Sequence, residues 1–350
     1  MPFRILIIKM RYIGDTVLIS PLLKALKDGM PDALIDVLVN KDTHQVLVDN
    51  PYLNNTWVFD YNTSKNKLGY NLKILSHIRR QRYDTVIDLT NNDRSSLITF
   101  LSGASLRIGY QKKHLIQQRL FYNKIINKTE SHMHVVDYHL KAVEELGLSA
   151  LDRNPFIMVL PEKIKDIEQK LYDYIGLKAE EPFVIIHPGA RRWYKSWPIE
   201  KFAILADYIR EEYDIHVVLA GDQNDEAVAL KIRSNMKREA IDMVGKISLS
   251  ELPAFVKKAV CLIGNDSAAI HIATSVGTPA IALFGPTDWR NWYPRRNHDR
   301  VFAVEFPCRP CGHTRPDCPF GDHYCMSEID FEQIWHAVKD TIYTRMRRER

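Results

Sequence analysis

Lys195, Asp225, Glu226, Asp266, Ser267, His271 and Thr287 fall in four short polar stretches in the second half of the chain, at 187–195, 221–226, 265–271 and 285–288. Their types suit a nucleotide. A lysine offers phosphate a mobile point charge, and Asp225 or Glu226 can accept hydrogen bonds from ribose hydroxyls. Ser267, at the start of a helix whose first N–H groups have no partner within it, suits a pyrophosphate. Taken singly each has a plainer explanation: Lys195 as a solvated residue at a helix start, Asp266 as a helix cap, His271 as a packed histidine in an Ala-rich helix. Their coincidence at every polar turn of one region favours a site. In the first half one turn stands out. Gly14 permits a tight backbone, and Asp15 carries a carboxylate able to take a proton from an acceptor hydroxyl, with a helix cap as the alternative.

These turns need strands and helices to hold them. Residues 261–288 read as a short apolar strand, a polar turn, a helix of small residues closed at Gly277, a second apolar strand and another turn, which is one βαβ unit. Upstream, strands at 183–187 and 215–220 alternate with helices at 163–175 and from Pro198 to about Glu212, with Ser196 as N-cap. Ser248 and Glu251 make a capping box for a helix at 249–259. In the first half the strands fall at 3–10, 34–40, 56–61 and 84–89, with a helix after Asp15, a short one after Thr43, a basic one near 66–82 and another at 135–146. Such alternation predicts parallel, doubly wound α/β sheets, whose ligands bind beyond the carboxyl ends of the strands. The punctuation of 147–161 marks a linker, so the expected organisation is a first domain over 1–155, a second over 156–330 and a terminal helix over 331–350.

At 350 residues, 45% hydrophobic and 26% charged, the chain has the size of two domains. Its net charge of +5 favours an anionic partner without naming it. Residues 107–128 hold six Lys or Arg and no acid, among them Lys112 and Lys113. They read either as a solvated loop or as a contact for an anionic acceptor or lipid head groups. A nucleic-acid partner is disfavoured, because no recognition motif or aromatic platform accompanies the charge. No signal peptide or spanning segment is evident, so a cytoplasmic protein is expected, with any membrane contact peripheral. Cys308, Cys311, Cys318 and Cys325 form a compact set suited to a structural Zn or Fe ion; reduced thiols or a disulfide are the alternatives.

Three stretches, RYIGDTVLISPLLKALK, HPGARRWYKSWPIEKFAILAD and IGNDSAAIHIATSVGTPAIALFGPTD, resemble the signature regions of the heptosyltransferases, family 9 of the glycosyltransferases, in order and across nearly the whole chain. The resemblance implies a GT-B architecture, two Rossmann-like domains facing across a cleft, and a transfer that needs no metal cofactor. It implies Asp15 as general base. On the donor side it places Lys195 at the phosphates, Asp266 and Ser267 in the donor turn, Asp225 or Glu226 at the ribose, and His271 and Thr287 nearby. Arg11, Gly14, Lys112 and Lys113 fall to the acceptor side. The implied reaction is inverting transfer of heptose from ADP-heptose to an anionic lipopolysaccharide inner-core intermediate at the inner face of the inner membrane. A family 9 enzyme with another sugar nucleotide or a protein acceptor is the near alternative; a non-catalytic nucleotide- or metal-sensing module is the distant one. The cysteine set is similar to one that holds iron in the autotransporter heptosyltransferases, a branch the rest of this chain does not otherwise match.

Overall fold

The computed structural model describes residues 2–66, 68–111, 118–127, 130, 132–311, 318, 320–321 and 323–348. The chain divides into two compact units, Met1–Pro155 and Phe156–Arg350. Each is a six-stranded sheet with helices between its strands.

In the first unit the strands are β1 (Arg4–Lys9), β2 (Leu34–Asn40), β3 (Asn55–Phe59), β4 (Thr85–Asp88), β5 (Leu106–Tyr110) and β6 (Lys124–Ile126), in the order β3-β2-β1-β4-β5-β6. The second unit holds β7 (Phe183–His187), β8 (His216–Leu219), β9 (Ile241–Asp242), β10 (Leu262–Asn265), β11 (Ala280–Phe284) and β12 (Arg300–Ala303), in the order β12-β11-β10-β7-β8-β9. Counted from the first strand of each unit, both orders are 3-2-1-4-5-6. This is the doubly wound arrangement, which reverses direction between its first and fourth strands. All pairings of described strands are parallel.

The sequence forms such sheets because its strands can be covered on both faces. Ile5, Leu6, Ile7 and Ile8 of β1 are fully buried, as are all five residues of β11. Continuous aliphatic runs of this kind suit a parallel sheet with helices on either side. Helix boundaries follow ordinary stop signals. Gly176 and Gly277 close the helices Pro161–Ile175 and Ala268–Val276 in the left-handed region, at φ of 68° and 83°. The terminal helix Phe331–Arg348 packs Ile334, Trp335, Val338 and Ile342 into the core of the second unit, beside Trp197 and Phe202.

At the centre of that sheet β7 and β10 approach closely. A Cβ added at Gly264 would lie 2.6 Å from the backbone oxygen of His187. A backbone oxygen in a central strand cannot swing aside, so Gly264→Ala is expected to destabilise the protein by about 1–3 kcal/mol. The check is the urea midpoint of the full chain; a wild-type midpoint would show that the sheet yields at no cost.

Several sequence expectations need correction. The basic stretch 107–128 is not a solvated loop, because it contributes β5, the helix Gln118–Phe121 and β6. Gly109 leaves room for the Tyr122 ring, and the Tyr122 hydroxyl reaches Asp88 Oδ2 at 2.7 Å. Of its described cations, Arg107 donates to the backbone oxygens of Phe121 and Ala104, and Lys124 pairs with Glu145 at 2.6 Å. Lys112 and Lys113 lie outside the described residues. Ser196 does not cap the following helix; it ends a 3-10 turn, Trp193–Lys195, and the helix begins at Ile199 with Pro198 as N-cap. Glu251 Oε2 does accept from the Ser248 N–H at 2.7 Å, but the helix starts later, at Leu252. The single helix expected after Asp15 is two, Ile13–Val17 and Ser20–Gly29, the second with Pro21 in its first turn. The basic helix expected near 66–82 is present as Leu68–Arg80, and a separate helix, Tyr61–Asn66, precedes it. Among the described residues no helix is long and apolar enough to cross a membrane.

Candidate functional site

Asp15 in the first unit, and Lys195 and Asp266 in the second, follow the strands at which their sheets reverse direction. In the first unit, Asp15 lies in the first turn of the helix Ile13–Val17, which follows β1. Its Oδ1 is 3.0 Å from Nζ of Lys9, the last residue of β1, whose side chain is 3% exposed against 17% for Asp15. Lys9 Nζ also lies 3.3 Å from Nε2 of His139, a buried residue of the helix Val135–Glu144. Burial, and then the Lys9 charge, push the His139 imidazole well below its ordinary value, so the ring is neutral. Gly14 is buried, and its carbonyl accepts from Leu18 N–H. Arg11 reaches the Thr90 carbonyl at 3.4 Å, and Asn40 binds the Arg11 carbonyl at 3.3 Å; both are structural links beside the turn.

In the second unit the turns after β7, β10 and β11 are tied together. Asn265 is fully buried and works as a clip: its Nδ2 donates to the Pro188 carbonyl at 2.7 Å, and its Oδ1 accepts from Trp197 N–H at 3.0 Å. Next to it, Asp266 Oδ2 accepts from Lys195 Nζ at 2.7 Å and from the Thr287 hydroxyl at 2.6 Å. Three of the predicted donor residues therefore meet at one carboxylate oxygen. Burial alone would raise the Asp266 carboxyl. The Lys195 charge, the hydrogen bonds from Lys195 and Thr287, and His271 outweigh burial and hold the group below its ordinary value. Two expectations change as a result. Lys195 is not a mobile charge but a buried ammonium held by an ion pair, and Asp266 is not a helix cap. The cap position of the helix Ala268–Val276 is Ser267, which makes no side-chain capping bond, and its buried Oγ has no partner among the described residues. The first N–H groups of that helix are thus left without a side-chain cap among the described residues.

The turn after β8 separates Asp225 from Glu226. Asp225 points inward. A Cβ at Gly189 or Gly221 would sit 2.3 Å or 2.5 Å from its Oδ2, so two glycines make the space it fills. It accepts from the Asp222 N–H at 3.0 Å. Burial raises the Asp225 carboxyl, against the opposing pull of His187, whose own imidazole burial lowers. Glu226 is exposed at the start of the helix Glu226–Asn235. His271 is buried and packs towards the Trp292 ring, centroids 6.5 Å apart, as a core histidine would, though its charge bears on Asp266.

The cysteine segment abuts these donor turns, which the sequence did not reveal. Arg309 donates to the Thr287 carbonyl at 3.2 Å, His323 stacks on Tyr194 with centroids 5.6 Å apart, and a Cβ at Gly285 would meet Met326 Sδ at 2.3 Å and Cys325 Sγ at 3.4 Å. Cys308, Cys311, Cys318 and Cys325 are free thiols. They lie near enough for the charges of Cys308 and Cys318 to bear on both Cys311 and Cys325. Burial, the larger cause, raises Cys325 to about 11. Among the described residues, no three His, Cys, Asp or Glu side chains are arranged to hold a metal ion. Residues 312–317, 319 and 322 of this segment lie outside the described set. Lys9, His139, Asn265 and Arg309 were also missed. The one available signal was a lysine closing an aliphatic strand directly before a Gly-Asp turn.

Comparison with known proteins bears on the whole chain. The family model of glycosyltransferase family 9 (heptosyltransferase) matches residues 71–319. Lipopolysaccharide heptosyltransferase 3 of Escherichia coli is 30% identical over 292 residues, covering 81% of this chain and 84% of that protein. Among solved structures, the family 9 glycosyl transferase of Veillonella parvula DSM 2008 superposes with a TM-score of 0.83 at 24% identity, covering 98% of both chains. The E. coli ADP-heptose lipopolysaccharide heptosyltransferase II does so with a TM-score of 0.79 at 21% identity, over 98% of this chain and 100% of that one. Two doubly wound sheets of equal topology are the GT-B architecture these neighbours share, and with the family match spanning most of its length the chain belongs to glycosyltransferase family 9 and is a glycosyltransferase.

Proposed function

We propose that the protein transfers heptose from ADP-heptose to a hydroxyl of a lipopolysaccharide inner-core intermediate, with inversion at the anomeric carbon. The observation that carries this reading is the Asp15 carboxylate. One of its oxygens is committed to Lys9, and the other has no partner among the described residues, in a chain 30% identical to a lipopolysaccharide heptosyltransferase. Asp15 takes the proton of the acceptor hydroxyl as that oxygen attacks the anomeric carbon, and ADP departs. One carboxylate suffices for such a displacement, whereas glycoside hydrolysis uses two.

The second unit handles the charge that leaves. An ammonium has three N–H donors, and Lys195 gives one to Asp266, which leaves two for a diphosphate. The uncapped N–H groups beginning the helix Ala268–Val276, with the Ser267 hydroxyl, supply further donors. Asp225 or Glu226 holds the ribose in this reading. The exposed Glu226 has the freer carboxylate, since Asp225 is wedged between Gly189 and Gly221. An anionic acceptor at the cytoplasmic face of the inner membrane suits the net charge of +5. For the cysteine segment we propose a structural role, bracing the turns that carry Tyr194, Gly285 and Thr287; a Zn or Fe ion there belongs to the same proposal.

The test is ADP release by the full chain, supplied with ADP-heptose and lipopolysaccharide core lacking the outer heptoses. Release that requires both substrates, and that fails with UDP-glucose as donor, supports the reading. Turnover with UDP-glucose and none with ADP-heptose would replace the donor, and activity on a protein acceptor alone would replace the acceptor.

A further inference from the structure

We propose that Lys9 is a positioning residue for the transfer: buried behind Asp15 and steadied from its other side by His139, it fixes one oxygen of the Asp15 carboxylate and turns the second towards the acceptor hydroxyl. This rests on the reading of Asp15 as the base.

Three observations carry it. Lys9 is a charged residue at the end of a strand whose preceding four residues are fully buried, and only 3% of its side chain is exposed. A lysine in such a place is costly unless paired, and its one anionic partner among the described residues is Asp15 Oδ1 at 3.0 Å. Its other neighbour is neutral. An ammonium has no lone pair, so at 3.3 Å His139 Nε2 must accept from Lys9, with the ring hydrogen on Nδ1. His139 is in turn fixed on its helix, where its carbonyl accepts from the Tyr110 hydroxyl at 2.9 Å and the Tyr110 ring packs edge-on against Tyr138. The order of support therefore runs from the helix Val135–Glu144 through His139 and Lys9 to Asp15.

The same chemistry excludes a proton relay. An ammonium has no lone pair with which to receive a proton from Asp15 unless it first gives one to His139. Burial and the Lys9 charge, together with nearby His134, oppose a charged imidazole there. The proton taken from the acceptor stays on Asp15 until solvent removes it, and Lys9 and His139 act by orientation. Orientation has a large effect on rate, because a carboxylate displaced by an ångström from its proton loses about 100-fold.

The experiment uses the full chain in the ADP-release assay, with thermal melting to establish folding. Lys9→Met is expected to lower kcat by about 10–100-fold with both KM values unchanged, since Lys9 touches neither substrate. His139→Gln presents an amide oxygen to Lys9 and is expected to keep near-normal kcat, whereas His139→Leu lacks an acceptor and is expected to fall in the direction of Lys9→Met. A normal kcat in Lys9→Met overturns the proposal, as does a loss expressed in KM, or equal damage in His139→Gln and His139→Leu. Should Lys9→Met fail to fold, the two His139 variants decide. Asp15→Asn in the same assay separates the two readings. If it stays active, the base assignment falls; if it is inactive while Lys9→Met and His139→Leu work normally, the positioning role alone falls.

Discussion

Replacing Asp15 with Asn is expected to lower kcat by about 100- to 10,000-fold, the range for loss of a general base, while ADP binding is retained. The amide keeps the shape of the carboxylate but cannot hold the acceptor's proton. The separation of the two effects follows from where the residues sit. Asp15 belongs to the first unit, and the residues assigned to the nucleotide, Lys195, Asp266, Ser267 and Thr287, belong to the second. Calorimetric titration with ADP and initial rates of ADP release check the two halves of the expectation. The substitution also deprives the buried Lys9 of its anionic partner, so some loss of stability is expected with the loss of rate, and a melting curve must accompany the kinetics. Undiminished turnover by a folded Asp15→Asn protein would remove Asp15 from the mechanism.

Replacing Asp266 with Ala is expected to produce the largest loss of stability of any single change in the donor turns. Two donors, Lys195 Nζ and the Thr287 hydroxyl, lose their shared acceptor at once, and the Lys195 side chain is 9% exposed, too little for water to take over. Removing one partner of a buried pair costs about 3–5 kcal/mol, a large fraction of the stability of an ordinary domain. The sign with pH is fixed by the direction of the shift. The Asp266 carboxyl is held below its ordinary 3.8 in the folded protein, so this contribution is complete above that value and is lost as the pH falls below it towards the folded value. Urea unfolding at neutral pH measures the loss. In the Lys195→Met/Asp266→Ala double variant the stranded charge is gone, so stability is expected to recover in part while ADP affinity does not. A wild-type midpoint for Asp266→Ala would mean that the pair contributes nothing.

Much of this could be read in the sequence, and what escaped did so for physical reasons. Central strands such as β1, β7 and β11 announce themselves as aliphatic runs because they are covered on both faces. Three of the four edge strands do not, β3 being the exception. The strand β9 has two residues, β12 is partly exposed along its length, and β6 is three residues inside the basic stretch 107–128. With little apolar surface to bury, they follow the sheet rather than specify it. The site divides in the same way. Residue type and turn position were enough to select Asp15, Lys195, Asp266 and Thr287. That Lys195 and Thr287 converge on a single oxygen of Asp266 depends on the pairing of β10 with β7 and with β11, contacts between segments some 20 to 80 residues apart. For the same reason the choice between Asp225 and Glu226 was open: spacing cannot tell which carboxylate turns into the gap left by Gly189 and Gly221. Lys9 was passed over because a lysine at a strand end is ordinarily solvated, and here the helix Val135–Glu144 covers it with His139.

The parallel pairing of both sheets also has a consequence in time. No described strand meets its neighbour through a tight turn, and the central partners are distant: Ile5 of β1 pairs with Thr85 of β4, and Ile185 of β7 with Leu262 of β10. At about 5–20 residues per second, a ribosome takes several seconds to deliver β4 after β1. During that interval β1, aliphatic from Ile5 to Ile8, has an open edge, and the loop-closure cost of its central pairing is met only when more than half of the first unit has emerged. The strand that later carries Lys9 to Asp15 is therefore the segment of the nascent chain most exposed to wrong association while the protein is being made.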